Sequence, residues 1–282
     1  MPRAKNGAVE LEYETFGDPA GEAVLLINGL GSQMTRWPEP FCDLLVQRGL
    51  YAIRFDNRDV GLSTWCEGVR YTADDMAADA AAVLTAAGKQ QGHIVGVSMG
   101  GMIAQLFAAN YPERTLSLTS IMSNAGSPAP AAQPNVALLD VRPPDPATDF
   151  EAFIAAGVAH NHAIGSPGYP WDDAFIRQRG IDEYRRAYHP AGVAHQRAAI
   201  AASGDRRPKL ATIKAPTVVM HGADDPLVPV AGGKETADNI PGAELVIVPG
   251  MGHNLPPSLY DTFAETIWRA VARARAAQPA TA

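Results

Sequence analysis

The sequence predicts an α/β fold: a mostly parallel sheet covered by helices on both faces, with a helical segment inserted late in the chain. Three observations carry this reading. Short apolar runs such as residues 23–27 and 94–97 lack polar alternation, as strands buried on both faces require. Helix-patterned stretches follow them in turn, the order that builds parallel crossovers. The alternation then breaks at Asn124, where six prolines fall before Asp149, and it resumes at Pro216.

In chain order, residues 9–16 alternate with period two and read as an antiparallel edge strand with one wet face. Residues 23–27 form a central strand ending at Asn28-Gly29-Leu30-Gly31-Ser32. An amphipathic helix over 37–48 stops at Gly49, and a strand over 51–55 closes on Asp56-Asn57-Arg58-Asp59-Val60-Gly61-Leu62-Ser63. Thr72 is a suitable N-cap for a helix over 72–87, with Gly88 as its stop. The strand at 94–97 leads through Ser98 into a helix from Met102, and residues 116–122 form the next strand. Helical pieces near 150–163, 171–188 and 191–203 make residues 125–208 a cap over an α/β core formed by 1–124 and 209–282. The core resumes with a strand from Pro216, a helix over 231–239, a strand over 244–248 and a final helix over 258–274. The Ala-rich end from Ala272 reads as a frayed tail.

The 282 residues carry 23 basic and 30 acidic side chains, a net charge of −7, which argues against nucleic acid or an anionic membrane as partner. Two cysteines give no disulfide framework, and no C-x-x-C spacing points to zinc. No signal-peptide run and no stretch of 18 apolar residues occurs, so a cytoplasmic, membrane-free protein is expected. Monomer and homodimer both fit this composition.

The chemistry is expected at Ser98. Gly96-Val97-Ser98-Met99-Gly100 is a G-x-S-x-G match between strand and helix, which is the setting of a nucleophile elbow. On its own the match is weak, because a glycine-rich turn with a solvated serine reads the same way. A serine hydroxyl needs a base, and the base needs a carboxylate to fix its tautomer. Of seven histidines, His253 lies in a Gly-Met-Gly-His loop after the last strand. His221 is the runner-up but closes a buried strand. His93 starts the Ser98 strand at its far edge, and His160, His162, His189 and His195 fall in the cap. Asp225 follows a strand and lies between serine and histidine in sequence, with Asp224 its immediate rival. The order Ser98, Asp225, His253 is that of an elbow-type triad. Ser123-Asn124 offers no carboxylate at the preceding strand end, which strengthens Asp225. The oxyanion donors are expected to be the backbone N–H groups of Met99 and Leu30.

Taken together, Asn28-Gly29-Leu30-Gly31, Arg54 to Ser63, the elbow, Asp225-Pro226-Leu227-Val228-Pro229 and Pro249-Gly250-Met251-Gly252-His253 resemble the α/β-hydrolase family. Within it the chain is most similar to bacterial serine carboxylesterases of the aclacinomycin methylesterase kind, over roughly 8–123 and 209–275. The resemblance implies an eight-stranded sheet, a cap, a small-molecule ester substrate, neither cofactor nor metal, and a Ser98–Asp225–His253 triad. Many members carry His where this chain has Asn28, a departure expected to do little harm to a backbone donor. A methylesterase of a bulky polyketide-like ester, a lactonase, a cofactor-free perhydrolase and a carbon–carbon bond hydrolase would use the same residues, and a binding protein with little turnover is the contrasting class. The segment from Asp56 to Ser63 is expected to be a structural turn bracing the elbow. Tyr169, Trp171, Phe153 and Tyr184 of the cap face either substrate or core, with packing the preferred reading for each.

Overall fold

The computed structural model describes residues 2–140, 142–169 and 172–277. Its eight strands are β1 (Arg3–Asn6), β2 (Val9–Phe16), β3 (Glu22–Ile27), β4 (Leu50–Phe55), β5 (Gly92–Val97), β6 (Thr115–Ile121), β7 (Thr217–Gly222) and β8 (Glu244–Val248). They lie in the order β1-β2-β4-β3-β5-β6-β7-β8. Only β2 runs against its neighbours, pairing antiparallel with both β1 and β4, and the rest are parallel. The mostly parallel eight-stranded sheet is borne out.

Alternate residues of the central strands face opposite ways, and the core divides accordingly. Leu25, Ile27 and Ile94 pack with Met76, Leu84, Ile103 and Phe107 of α2 (Ala73–Ala86) and α3 (Met99–Asn110). Val24, Leu26, Val95 and Val97 pack with Phe41 and Leu45 of α1 (Glu39–Val46) and with Phe263, Ile267 and Val271 of α9 (Tyr260–Ala277). Burial on both faces explains why these strands read as unbroken apolar runs.

Several boundaries differ from the sequence reading, each for a physical reason. The edge is β1, not residues 9–16, because Gly7 at φ 59° turns the short segment Arg3–Asn6 back onto β2. That strand has four residues, with only Ala4 fully buried, too few for a period to show. Helix α1 starts at Glu39 because Pro38 stands at its N-cap, preceded by a separate 3₁₀ turn, Met34–Arg36. The supposed tail is helical to Ala277: Arg273 donates to the Thr217 and Gly242 carbonyls, and Arg275 pairs with Glu22. Thr72 does cap α2, in a reciprocal capping box with Asp75.

Between β6 and β7 come α4 (Phe150–Ile164), α5 (Asp173–Arg186), α6 (Pro190–Ser203) and the short α7 (Arg207–Leu210). Helix α8 (Val230–Asn239) joins β7 to β8. Asp149 and Asp172 cap α4 and α5 by accepting backbone N–H bonds. Among the described residues, no helix is long and apolar enough to cross a membrane.

Candidate active site

The elbow is a steric necessity. Strand β5 ends at Val97 and α3 begins at Met99, leaving Ser98 to make the whole turn at φ 55°, ψ −121°. A Cβ on Gly96 would lie 2.0 Å from the Gly100 carbonyl oxygen, and one on Gly100 would lie 2.2 Å from that of Ile27. Only glycine fits at either place, which gives the spacing its physical meaning. The Ser98 N–H donates to the Ile121 carbonyl at 2.9 Å, holding the strained residue against β6.

Three sheet segments bring the predicted residues together. Asp225 follows β7, and His253 lies in the loop after β8. The Ser98 hydroxyl donates to His253 Nε2 at 2.9 Å, and His253 Nδ1–H donates to Asp225 Oδ2 at 2.7 Å. The other Asp225 oxygen accepts the N–H groups of Leu227 and Val228 at 2.9 and 2.8 Å. Burial pushes the Asp225 carboxyl up, but the facing His253 and His221 outweigh it and bring it down to about 2. The carboxylate is therefore ionised wherever the protein is folded at ordinary pH.

The rivals take other places. Asp224 is exposed and accepts the Gly250 N–H at 2.8 Å, away from the imidazole. His221 is fully buried and donates from Nε2 to the Val228 carbonyl at 2.8 Å, supporting the turn that carries Asp225. His93 contacts Ser117 at the far end of β5. At the end of β6 the Asn124 amide is held by Arg206, so no acid stands there.

Leu30 and Met99 flank Ser98 in the wall of a chamber of about 580 Å³ that also contains His253. Met99 is the first residue of α3, so its N–H has no acceptor within the helix. A Cβ on Gly29 would sit 3.3 Å from that of Ser98, which places the loop after β3 directly beside the hydroxyl. Gly31, the residue after Leu30, stands at φ 64° and donates its N–H to Gln196 Oε1 of α6 at 2.8 Å. Gln196 in turn donates to the Arg58 carbonyl at 2.8 Å. Nothing in the sequence pointed to Gln196, which lies 165 residues from its partner.

The Asp56-to-Ser63 segment makes structural contacts, and those of Asp56 and Asn57 go to the loop after β3 rather than to the elbow. Asp56 accepts the Met34 N–H at 2.7 Å, and Asn57 donates to the Asn28 carbonyl at 3.1 Å. Asp56 also pairs with Arg186 of α5 at 2.7 Å. Asn28, the departure from the family pattern, is buried, and its side-chain amide has no hydrogen-bond partner among the described residues.

A second lobe of about 470 Å³ adjoins the first, sharing Leu30, Arg36, His160, Asn161 and Arg179. Phe153 and Tyr184 line it with ring centroids 5.7 Å apart, so these two face the cavity as well as each other. Tyr169 packs against the core, and Trp171 lies outside the described residues. His160 was read only as a cap histidine and Asn161 and Arg179 were not singled out, since their place in both walls depends on how the α4–α5 hairpin folds over the sheet. The hydrogen-bonded hydroxyl, imidazole and carboxylate at Ser98 are a set that can form and break an acyl bond.

A family model described as the alpha/beta hydrolase fold matches residues 22–257. Rhodomycin D methylesterase of Streptomyces peucetius is 31% identical over 93% of this chain and 95% of its own length. The 3-oxoadipate enol-lactonase 2 of Acinetobacter baylyi is 28% identical over 82% of each. Among solved structures, a thermophilic esterase from Thermogutta terrifontis superposes with a TM-score of 0.72 at 25% identity, covering 97% of this chain and 98% of that one. The match over more than half the chain, with the sheet order and the elbow, identifies this protein as a member of the α/β hydrolase fold family.

Proposed function

We propose that the protein is a serine carboxylester hydrolase that works through an acyl-enzyme on Ser98. The observation that carries this is the unbroken line from Ser98 through His253 to Asp225, at 2.9 and 2.7 Å, on the wall of the larger lobe. In the first half-reaction Ser98 Oγ attacks the ester carbonyl as His253 Nε2 takes its proton. Asp225 stabilises the resulting imidazolium without itself becoming protonated. The carbonyl oxygen, now negative, accepts hydrogen bonds from the Met99 and Leu30 N–H groups. When the tetrahedral adduct collapses, the ester C–O bond breaks and His253 gives its proton to the departing alkoxide. A water molecule then enters and attacks the acyl carbonyl as His253 takes one of its protons; the second adduct collapses with cleavage of the Ser98 Oγ–carbon bond, His253 returns the proton to Oγ, and the acid leaves.

Residues 125–208 act as the lid in this reading, and the two lobes beneath them favour an ester with a bulky ring-containing group over a short acyl ester. The aromatic pair Phe153–Tyr184 supports placing that group in the outer lobe. The methylesterase among the relatives is consistent with this, and the enol-lactonase makes a cyclic ester the second substrate to try. A fluorophosphonate probe is expected to label Ser98 with one equivalent, and Ser98→Ala to lose both labelling and turnover of p-nitrophenyl esters. Turnover that survives in Ser98→Ala removes the mechanism. A chain-length series beside a bulky methyl ester and a lactone then separates the substrate classes.

A further inference from the structure

We propose that Asp59, His189 and His195 bind one divalent transition-metal ion, of the zinc, cobalt or nickel class, and so clamp the start of α6 to the loop after β4. This goes beyond the ester chemistry and does not depend on it.

The argument starts from Asp59, whose carboxylate is fully buried and whose backbone is held at φ 68°. Two hydrogen bonds fix it: its N–H donates to the Thr64 carbonyl at 2.9 Å, and Cys66 N–H donates to Oδ1 at 2.6 Å. A buried carboxylate needs positive charge close by. The adjacent Arg58 does not supply it, because its guanidinium is committed to Asp79 through bonds of 2.6 and 2.7 Å. The Tyr71 phenol, pushed up first by burial and then by the nearby Asp59 carboxylate, stays neutral. What faces the carboxylate is a pair of imidazoles, both from the inserted helices.

Those imidazoles stand as ligands do. His195 Nδ1 is 3.2 Å from Asp59 Oδ2, and His189 Nε2 is 3.6 Å from Oδ1. One donor atom from each of the three side chains lies within 4.8 Å of the other two. A tetrahedral ion with bonds of about 2.0–2.1 Å has ligand-to-ligand edges of about 3.3 Å, which the two imidazole–carboxylate distances approach, while the remaining separations, up to 4.8 Å, would close on the ion. Hydrogen bonding accounts for His195 alone. His189 Nε2 is beyond that range, is buried, and has no hydrogen-bond partner among the described residues, although its side chain is only 9% exposed. The ring is also locked: Trp65 stacks on it at 4.2 Å between centroids and 5° between planes. Gly192 lets the helix press this close, since a Cβ there would lie 2.0 Å from the Asp59 carbonyl oxygen.

Two imidazole nitrogens and one carboxylate suit zinc, cobalt or nickel rather than magnesium or calcium, which prefer all-oxygen sets. Asp59 and His189 also line the outer lobe, so the fourth position of the ion would open toward a ligand or water there.

The experiment uses full-length protein stripped with a chelator and titrated with Co²⁺, read by its visible absorption, with Zn²⁺ followed in parallel by thermal melting. One equivalent of Co²⁺ is expected to give the intense bands of a tetrahedral site, and saturating Zn²⁺ to raise Tm. His195→Gln is one variant, chosen because that side chain is one-third exposed and its loss endangers folding least. His189→Ala is the other. Each is expected to weaken binding by more than the about 10–100-fold that loss of an outer-shell partner costs. His253→Ala and Ser98→Ala are expected to bind as wild type does, which separates this site from the triad. A titration without a one-equivalent tetrahedral band overturns the proposal. So does a band that survives in His195→Gln and disappears in His253→Ala.

Discussion

Replacing Asp225 by Asn tests the triad at its least obvious member. The two oxygens of Asp225 do different things: Oδ1 accepts the Leu227 and Val228 N–H groups, and Oδ2 accepts His253 Nδ1–H. An asparagine has one oxygen, and the two backbone donors will claim it. Its NH₂ then faces the imidazole, so two donors would meet unless the His253 proton moves to Nε2. That is the nitrogen on which Ser98 depends. A wrong tautomer costs such a triad about 10⁴ in kcat, or about 5 kcal/mol of transition-state stabilisation. The expected outcome for Asp225→Asn is therefore a folded protein with a kcat for p-nitrophenyl acetate lower by about 10⁴, and with the imidazole proton on Nε2 by nitrogen-15 NMR. Asp224→Asn, one residue away but with its carboxylate accepting the Gly250 N–H instead of an imidazole, is expected to stay within about tenfold of wild type. If Asp225→Asn kept its rate, or Asp224→Asn fell as far, the assignment of the acid would be refuted.

Other perturbations have equally definite outcomes. The depressed Asp225 value of about 2, against an ordinary 3.8, adds about 2 kcal/mol of stability above the ordinary value, lost as pH falls through 2. In urea unfolding, the stability gap between wild type and Asp225→Asn should accordingly narrow with acid, and a constant gap would contradict the linkage. Arg186→Ala strands the buried Asp56 carboxylate, whose value burial already raises, and is expected to cost about 3–5 kcal/mol in denaturant unfolding. Gln196→Ala leaves the Gly31 N–H unpaired and is expected to cost about 1–3 kcal/mol. Because Gly31 adjoins Leu30, kcat should fall while KM changes less, and a pure KM effect would count against the oxyanion assignment.

How much of this was legible follows from the range of the forces involved. The elbow could be read because both glycines stand two residues from Ser98 in one short motif, and Thr72 because a cap is local. The proposed triad was suggested by chain order, since each of Ser98, Asp225 and His253 follows a strand whose apolar run is visible. What failed to show was either too short or too distant. Strand β1 has too few residues to reveal a period. The bonds Gly31–Gln196, Asp56–Arg186 and Asp59–His195 join residues more than a hundred positions apart, and each residue alone is an ordinary polar side chain. The expectation that cap aromatics pack on the core held for Tyr169 and missed Phe153 and Tyr184, because the face of an amphipathic helix does not say whether a cavity or a sheet lies opposite.

The bond from Gly31 to Gln196 has a consequence for timing. The residue next to the proposed oxyanion donor is held by the helices that cover the chamber, so swinging them away would also release the loop that steadies the charge. With those bonds broken, the loop would lose this support. The protein's acyl chemistry would switch on only around a guest it has already enclosed, and an ester brushing past an open mouth would find a serine without its full support. Product exit would then cost the same bonds that made the reaction fast, setting a rhythm in which the door and the catalyst are one moving part.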